Sequence, residues 1–299
     1  MKPFLKWAGG KTQLLPEIKK RLPDKFNKYI EPFVGGGAVL FYLINDRDIN
    51  EVYINDINKE LINCYDCVIN HTDALIMQLW ALQSVYNHME PNEQEEIYYK
   101  IRTVFNNDGD SYFLKPSLSP IITEMNVNNY KVHRAAKFIF LNKTCFNGLW
   151  RVNKNNEFNV PWNKKNKTLL YEKDNLFEIS EKLKNTTLFS YDYSKLIDYV
   201  DGNTFIYLDP PYKPLNKTSS FNLYNKDNFT DDEQIRLKEF CDEVTKRGGK
   251  FMLSNSATDD NFFEELYKDY KIEYIDARRQ INSKGDKRGK IKEILITNY

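Results

Sequence analysis

Apolar residues over the first sixty positions fall into short runs separated by glycine and charged turns. Residues 28–33 predict a short strand, Gly35, Gly36 and Gly37 a turn, 38–44 a helix and 51–55 a second strand. After Asp56 the spacing becomes helical, with Leu61, Cys64, Tyr65, Val68 and Ile69 on one face and Leu75, Leu79, Leu82 and Tyr86 continuing it. A helical insert is therefore expected to run to about Thr168. It includes a turn-rich stretch, 142–166, whose Asn, Gly and Pro content predicts loops or a hairpin. Strand and helix then alternate again: 187–190, 205–208, 250–253 and 293–297 predict strands, and Thr230-Asp231-Asp232-Glu233 is a capping box opening a helix over 234–246. No internal repeat is present.

Strands alternating with helices predict an α/β fold with a doubly wound, mostly parallel sheet, whose ligands bind at the carboxyl ends of the strands. Residues 1–60 and 169–299 are expected to form one domain and 61–168 an inserted, mainly helical one. A chain of 299 residues suits a main domain with a sizeable insertion. Four scattered cysteines are too few for a disulfide framework, and Cys64 and Cys67, inside a helical pattern with no second pair, are expected as buried thiols and not as a zinc site. No metal is expected. No run reaches the apolar length of a membrane span and the first residues lack a signal-peptide stretch, so the expectation is a soluble, cytoplasmic chain with no membrane partner.

The net charge of +1 says little about partners, but its distribution says more. All charge from Glu60 to Tyr99 is acidic. From Lys143 to Lys173, seven basic side chains stand against two acidic ones, a net of +5, and a second basic run spans 278–292. Both runs flank features with a claim to polyanion contact.

Chemistry concentrates at Asp209-Pro210-Pro211-Tyr212, directly after the apolar run Thr204-Phe205-Ile206-Tyr207-Leu208. The lone pair of an exocyclic nucleobase amine is delocalised into the ring, so methyl transfer needs acceptors that localise it. The Asp209 carboxylate and the Pro210 carbonyl can accept from the two N–H bonds, and consecutive prolines fix φ near −65° and hold both in place. Tyr212 offers an aromatic face. The turn at Gly35, Gly36 and Gly37 lets backbone approach a ligand, and Asp56 follows at the distance of a ribose-binding acid. Leu40 stands where a dinucleotide fingerprint would place a third Gly or Ala. The run Ala8-Gly9-Gly10-Lys11-Thr12 suggests a P-loop, but Leu5 occupies the position of its first glycine. Attack at cytosine C5 needs a cysteine nucleophile, usually as Pro-Cys, and the chain has no such dipeptide.

Phe4-Leu5-Lys6-Trp7-Ala8-Gly9-Gly10-Lys11, Glu31-Pro32-Phe33-Val34-Gly35-Gly36-Gly37, Asn55-Asp56-Ile57-Asn58 and Asp209-Pro210-Pro211-Tyr212 together resemble the Dam-type DNA adenine-N6 methyltransferases of the α group, over nearly the whole chain. The resemblance implies a class I methyltransferase, Rossmann-like fold with an inserted DNA-recognition domain. It also implies S-adenosylmethionine as methyl donor, held by Trp7, Lys11, Gly35, Gly36, Gly37, Asp56, Asp192 and Asp209. Double-stranded DNA is the implied partner, with a restriction endonuclease as an optional biological companion. The stretch Asn142-Lys143-Thr144-Cys145-Phe146-Asn147-Gly148-Leu149-Trp150-Arg151, followed by Phe158-Asn159-Val160-Pro161, is similar to the recognition hairpin of GATC-modifying members, and departs from it at Trp162 and Asn163. Carried over, Lys6 and Arg151 read guanines, Leu149 and Pro161 touch base edges, and Phe146 fills the gap left by a flipped base. Asn147, Arg279 and Lys284 also contact DNA. Residues 213–229 are expected to order over the flipped nucleotide. Cytosine N4 is the rival target, since that amine poses the same electronic problem. A DNA-binding module without catalysis and a P-loop-like ATPase are rivals of other classes.

Overall fold

Strands buried on both faces read as continuous apolar runs, and the central strands of this protein do so. In the computed structural model, which describes residues 1–107, 120–213, 229–278 and 290–299, β1 (Lys28–Glu31) and β4 (Thr204–Leu208) are buried at every position. Parallel neighbours are β2 (Glu51–Asn55), β3 (Thr187–Phe189) and β5 (Lys250–Ser256), while β6 (Lys271–Arg278) and β7 (Lys290–Thr297) join antiparallel. The order is β3-β2-β1-β4-β5-β7-β6. The expected doubly wound, mostly parallel α/β sheet is what forms. Because β2 and β4 lie on opposite sides of β1, the winding reverses there, and the carboxyl ends of β1 and β4 are where such a sheet binds ligands.

Local chemistry accounts for several boundaries. β1 ends at Glu31 and not at residue 33, because Pro32 has no N–H to continue the ladder. β5 runs to Ser256, three residues beyond the expected end. β6 was not expected at all. Among the described residues it pairs with β7 alone, and Lys271, Tyr274 and Asp276 along it are exposed, so its apolar pattern is diluted. The capping box is present in part: Thr230 accepts from the Glu233 N–H and opens α8 (Asp231–Lys246). Among the described residues, α1 (Leu15–Lys19), α2 (Ala38–Asp46) and the short α9 (Phe262–Leu266) are the other α-helices of the sheet-bearing part of the chain. Its core joins Ile30, Ile206, Leu208, Phe251, Leu253 and Ile294 to Leu237, Phe240 and Val244 of α8.

The sheet belongs to one compact unit, Lys11–Ile57 with Asn185–Tyr299; the other, Met1–Gly10 with Asn58–Lys184, is built from helices. These boundaries differ from the expected 1–60 and 169–299 against 61–168. Helix α7 (Lys173–Leu183) buries Leu176, Ile179 and Leu183 and packs on α3 (Lys59–Asn70), and Phe4 meets Tyr65 edge-on at 5.2 Å, so both chain segments go with the helices. Asn58 caps α3 by accepting from the Glu60 and Leu61 N–H groups. The expected α3 face is buried, and α4 (Thr72–His88), α5 (Pro91–Asn107) and α6 (Pro120–Thr144) complete the unit. Arg134 of α6 holds Glu60 of α3 through a forked pair at 2.7–2.9 Å. Cys64 and Cys67 are buried and unbridged, and burial pushes the Cys67 thiol up to about 12. Among the described residues no helix is long and apolar enough to cross a membrane.

Candidate active site

The tetrapeptide leaves the carboxyl end of β4, at the switch point. Lys11 Nζ lies 2.7 Å from Asp209 Oδ1, with the lysine side chain 7% exposed and the aspartate 20%. The Ser254 hydroxyl, on β5, donates to the same oxygen at 3.1 Å, and the Tyr207 hydroxyl donates to Ser254 Oγ at 3.1 Å. Both contacts fall on Oδ1; among the described residues no donor reaches Oδ2. Burial raises the Asp209 carboxyl above the usual aspartate range, and the Lys11 ammonium and the Ser254 hydroxyl oppose that rise.

Neighbouring strands and helices hold the rest of the tetrapeptide. The Gln234 amide of α8 donates to the Pro211 carbonyl at 3.2 Å, and Asn255 Oδ1 accepts from the Lys213 N–H at 3.1 Å. The Tyr212 hydroxyl donates to Glu293 of β7 at 2.9 Å, and the Lys11 ammonium sits 4.6 Å from the centre of its ring. On β1, Glu31 is buried, accepts from the Tyr29 hydroxyl at 2.7 Å, and burial pushes its carboxyl up to about 8. Ser254, Asn255, Gln234 and Glu293 were not among the candidate site residues read from sequence, and Glu31 entered only as the first residue of a quoted motif. Their common signal is a polar side chain inside an otherwise apolar strand or helix face.

The glycine turn and Asp56 meet directly: the Gly35 N–H donates to Asp56 Oδ2 at 3.1 Å. Gly35 and Gly37 have φ of 48° and 71°, a region that side-chain-bearing residues avoid. Asn55 ties three strand ends together, donating to the carbonyls of Pro32 and Tyr191 and accepting from the Tyr191 N–H. Ile57, next to Asp56, is 66% exposed. A carboxylate, a close-approach backbone turn and an uncovered apolar side chain form a donor set that suits a nucleoside. Asp192 caps the 3₁₀ segment Tyr193–Tyr199 through the Ser194 N–H and pairs with Arg236. Burial works against its ionised form, but the Ser194 and Arg236 contacts hold its carboxyl below the ordinary range. Trp7 belongs to the helical unit, where it stacks on Phe138 at 6.5 Å. Gly9-Gly10-Lys11 opens only a three-residue 3₁₀ turn, and its ammonium is already committed to Asp209, so a phosphate cradle is not what these residues build.

In the helical unit, the 142–166 stretch forms the hairpin-like turn expected of it. Cys145 bridges Trp162 and Val152 bridges Phe158, both antiparallel. Phe146 is 51% exposed, and its N–H donates to the Pro161 carbonyl at 2.8 Å. Asn147 is exposed, and with Gly148 it takes left-handed backbone, φ 55° and 64°. A Cβ on Gly148 would lie 2.5 Å from the Lys6 side chain. The buried Asn142 amide accepts from the Lys6 N–H at 2.9 Å and donates to the carbonyls of Lys6 and Gly148 at 2.8 and 3.2 Å. Exposed Lys6 is thereby brought to the turn. Arg151 is exposed and braced by Asn159 Oδ1 at 2.7 Å; Leu149 is half-buried and Pro161 exposed. At the departure from the resembled pattern, the Trp162 indole N–H donates to the Tyr86 hydroxyl at 2.7 Å. Arg279 and Lys284, and residues 214–228 of the 213–229 segment, lie outside the described residues.

Over residues 7–281 the sequence matches the D12 class N6 adenine-specific DNA methyltransferase family. The chain belongs to that family. It is 47% identical to the type II methyltransferase M.MjaIII of Methanocaldococcus jannaschii over 100% of this chain and 99% of that one. To the type II methyltransferase M1.LlaDCHI of Lactococcus lactis subsp. cremoris it is 38% identical over 100% and 96%. The DNA adenine methylase of Escherichia coli K12 is 32% identical over 98% and 93%. As a D12 class enzyme it acts on the adenine N6 amine of DNA, which decides against cytosine N4, a methylation-dead DNA-binding module and an ATPase, and the family's methyl donor is S-adenosylmethionine.

Proposed function

We propose that this methyltransferase modifies adenine within GATC in double-stranded DNA, and that the target base is flipped out of the duplex to meet Asp209 and Pro210. The observation that carries the catalytic part is the Asp209 carboxylate at the β4 end, held at Oδ1 by Lys11 and Ser254. Oδ2 and the Pro210 carbonyl accept from the two N6–H bonds and draw the lone pair onto nitrogen. As positive charge grows on that nitrogen, the carboxylate stabilises it more than it stabilises the neutral amine. Tyr212 stacks on the base, and its phenol, buried and with a pKa well above the ordinary value, stays neutral.

S-adenosylmethionine supplies an electrophilic methyl group when bound. Asp56 accepts from ribose hydroxyls, Gly35, Gly36 and Gly37 admit the donor close to the backbone, and Ile57 offers an apolar surface to its adenine. Trp7, Lys11 and Asp192 complete the binding set on the strength of the family resemblance. Flipping costs a few kcal/mol, by rough measure, and stacking on Tyr212 together with Phe146 filling the gap offsets that cost.

Residues 61–168 act as the target-recognition region. The GATC reading rests on the 142–163 turn: Lys6 and Arg151 read guanines, Asn147, Leu149 and Pro161 touch bases, and Arg279 and Lys284 grip phosphates. The test is plasmid DNA modified by the purified protein and digested with one nuclease blocked by N6-methyl-GATC and one that requires it. Protection from the first and cutting by the second are expected; N6-methyladenine in the nucleosides without either change would reject GATC. The type II names of the relatives from Methanocaldococcus and Lactococcus favour a restriction companion. An extract of the source cells should then cut unmodified plasmid at the same sites and spare modified plasmid.

A further inference from the structure

The end of β5 is apolar up to Leu253 and then turns polar while staying buried: Ser254 and Asn255 are fully enclosed and Ser256 nearly so. A buried hydroxyl needs a partner, and Ser254 has Tyr207 on one side and Asp209 on the other, with the Tyr212 phenol also beside it. It accepts from the Tyr207 hydroxyl, itself fully buried on β4, and donates to Asp209 Oδ1, with the Leu208 carbonyl a longer 3.5 Å alternative. Tyr207 can donate to Ser254 only if the Ser254 proton points elsewhere, so the chain Tyr207 to Ser254 to Asp209 has one direction. A carboxylate can rotate about its Cβ–Cγ bond. Lys11 alone, a flexible point charge, would follow that rotation, whereas a hydroxyl fixed to a central strand and oriented by a second hydroxyl would not.

We propose that Ser254, oriented by Tyr207, is a positioning residue for methyl transfer: it pins one oxygen of Asp209 so that the other faces the target amine. The inference rests on the reading of Asp209 as the acceptor of that amine. Ser254 touches neither substrate nor donor in this scheme; it acts through the carboxylate. Charged or titratable groups facing Asp209 are Lys11 from the 3₁₀ turn, Glu31 from β1, Tyr207 from β4, Tyr212 from the tetrapeptide and Glu293 from β7. Of these only Lys11 favours the ionised carboxylate, and the Ser254 hydroxyl, which carries no charge, adds to it through its hydrogen bond. Losing the hydroxyl therefore leaves the carboxyl easier to protonate.

The test compares single-turnover methyl transfer by the wild-type protein and by Ser254→Ala, Ser254→Thr, Tyr207→Phe and Asp209→Ala, at saturating S-adenosylmethionine and DNA across pH. For Ser254→Ala the rate should fall on the order of 10-fold to 100-fold, as for a lost hydrogen bond to a charged group. The acid limb of its profile should move to higher pH, with donor and DNA affinities within about twofold of wild type if the hydroxyl acts on orientation alone. Tyr207→Phe, which keeps ring volume, should give a smaller loss of the same kind, and Ser254→Thr should restore most of the rate. A wild-type rate and acid limb in both Ser254→Ala and Tyr207→Phe would overturn the inference. So would losses in both that come with weakened donor binding and an unmoved acid limb, since those mark a merely structural role. If Asp209→Ala is inactive while those two variants are unaffected, only this inference fails; if Asp209→Ala keeps its rate, the reading beneath it fails.

Discussion

The β4 end and the recognition turn solve opposite problems. At the β4 end the reactive carboxylate is mostly enclosed and already paired, with Lys11 and Ser254 on one of its oxygens and Tyr207 behind Ser254. At the turn, Lys6, Phe146, Asn147 and Arg151 stand exposed, and what is buried is the scaffold beneath them: Asn142, Gly148 and Trp162. Chemistry requires charges fixed before the substrate arrives, because reorganising them during reaction raises the barrier. Base reading requires side chains that leave water for DNA, so only their backbone is fixed. Substitutions should therefore show up as rate at the first region and as discrimination at the second.

The largest effect is expected from Lys11→Met. It leaves Asp209 mostly buried without its counter-charge, a change that costs about 3–5 kcal/mol where a buried pair is broken, and the methyl-transfer rate should fall roughly 10²–10³-fold. Chemical denaturation and single-turnover kinetics would measure both, and an unchanged rate would remove Lys11 from the site. Next is Arg151→Ala, which should reduce the preference for the cognate site over one with a single altered guanine by about 1–3 kcal/mol, while the single-turnover rate at saturating DNA stays close to wild type. Competition between two oligonucleotides reads the preference directly. A rate loss with preference intact would blur the contrast between the two regions.

Asn142→Ala should act in the same sense through Lys6, costing local stability through three lost hydrogen bonds but lowering discrimination by less than Arg151→Ala, since the Lys6 side chain itself is kept. Discrimination at the guanine read by Lys6 should weaken while that at the Arg151 guanine holds. The last effect concerns how stability depends on pH and touches neither rate nor discrimination. Glu31 has its native pKa raised to about 8 from an ordinary 4.5, so the native state holds the proton more tightly than the unfolded chain does. Its stabilising contribution is complete below the unfolded value, declines as pH rises, and is gone above about 8. Glu31→Gln should flatten that decline in urea titrations at successive pH values; an identical slope would show the carboxyl to be ionised in the native protein.

Much of this was legible in the chain itself. The parallel strands announced themselves as apolar runs, the glycine turn as Gly35, Gly36 and Gly37, and the tetrapeptide as Asp209 to Tyr212. Long-range pairing was not legible: β6 shows its role only beside β7, and α7 looked like the return to the sheet but buries Leu176 and Ile179 among helices. Second partners were equally hidden. Ser254, Gln234 and Glu293 are ordinary residues in local sequence, and only the sheet order and the packing of α8 bring them to the tetrapeptide.

The central claim is that the Asp209 carboxylate localises the lone pair of the adenine amine. Single-turnover methyl transfer by Asp209→Ala, at saturating S-adenosylmethionine and DNA with N6-methyladenine counted by nucleoside mass analysis, tests it most directly. The account predicts a rate lower by roughly 10²–10³-fold or more, with donor and DNA still bound; a rate equal to that of the wild-type protein would contradict it.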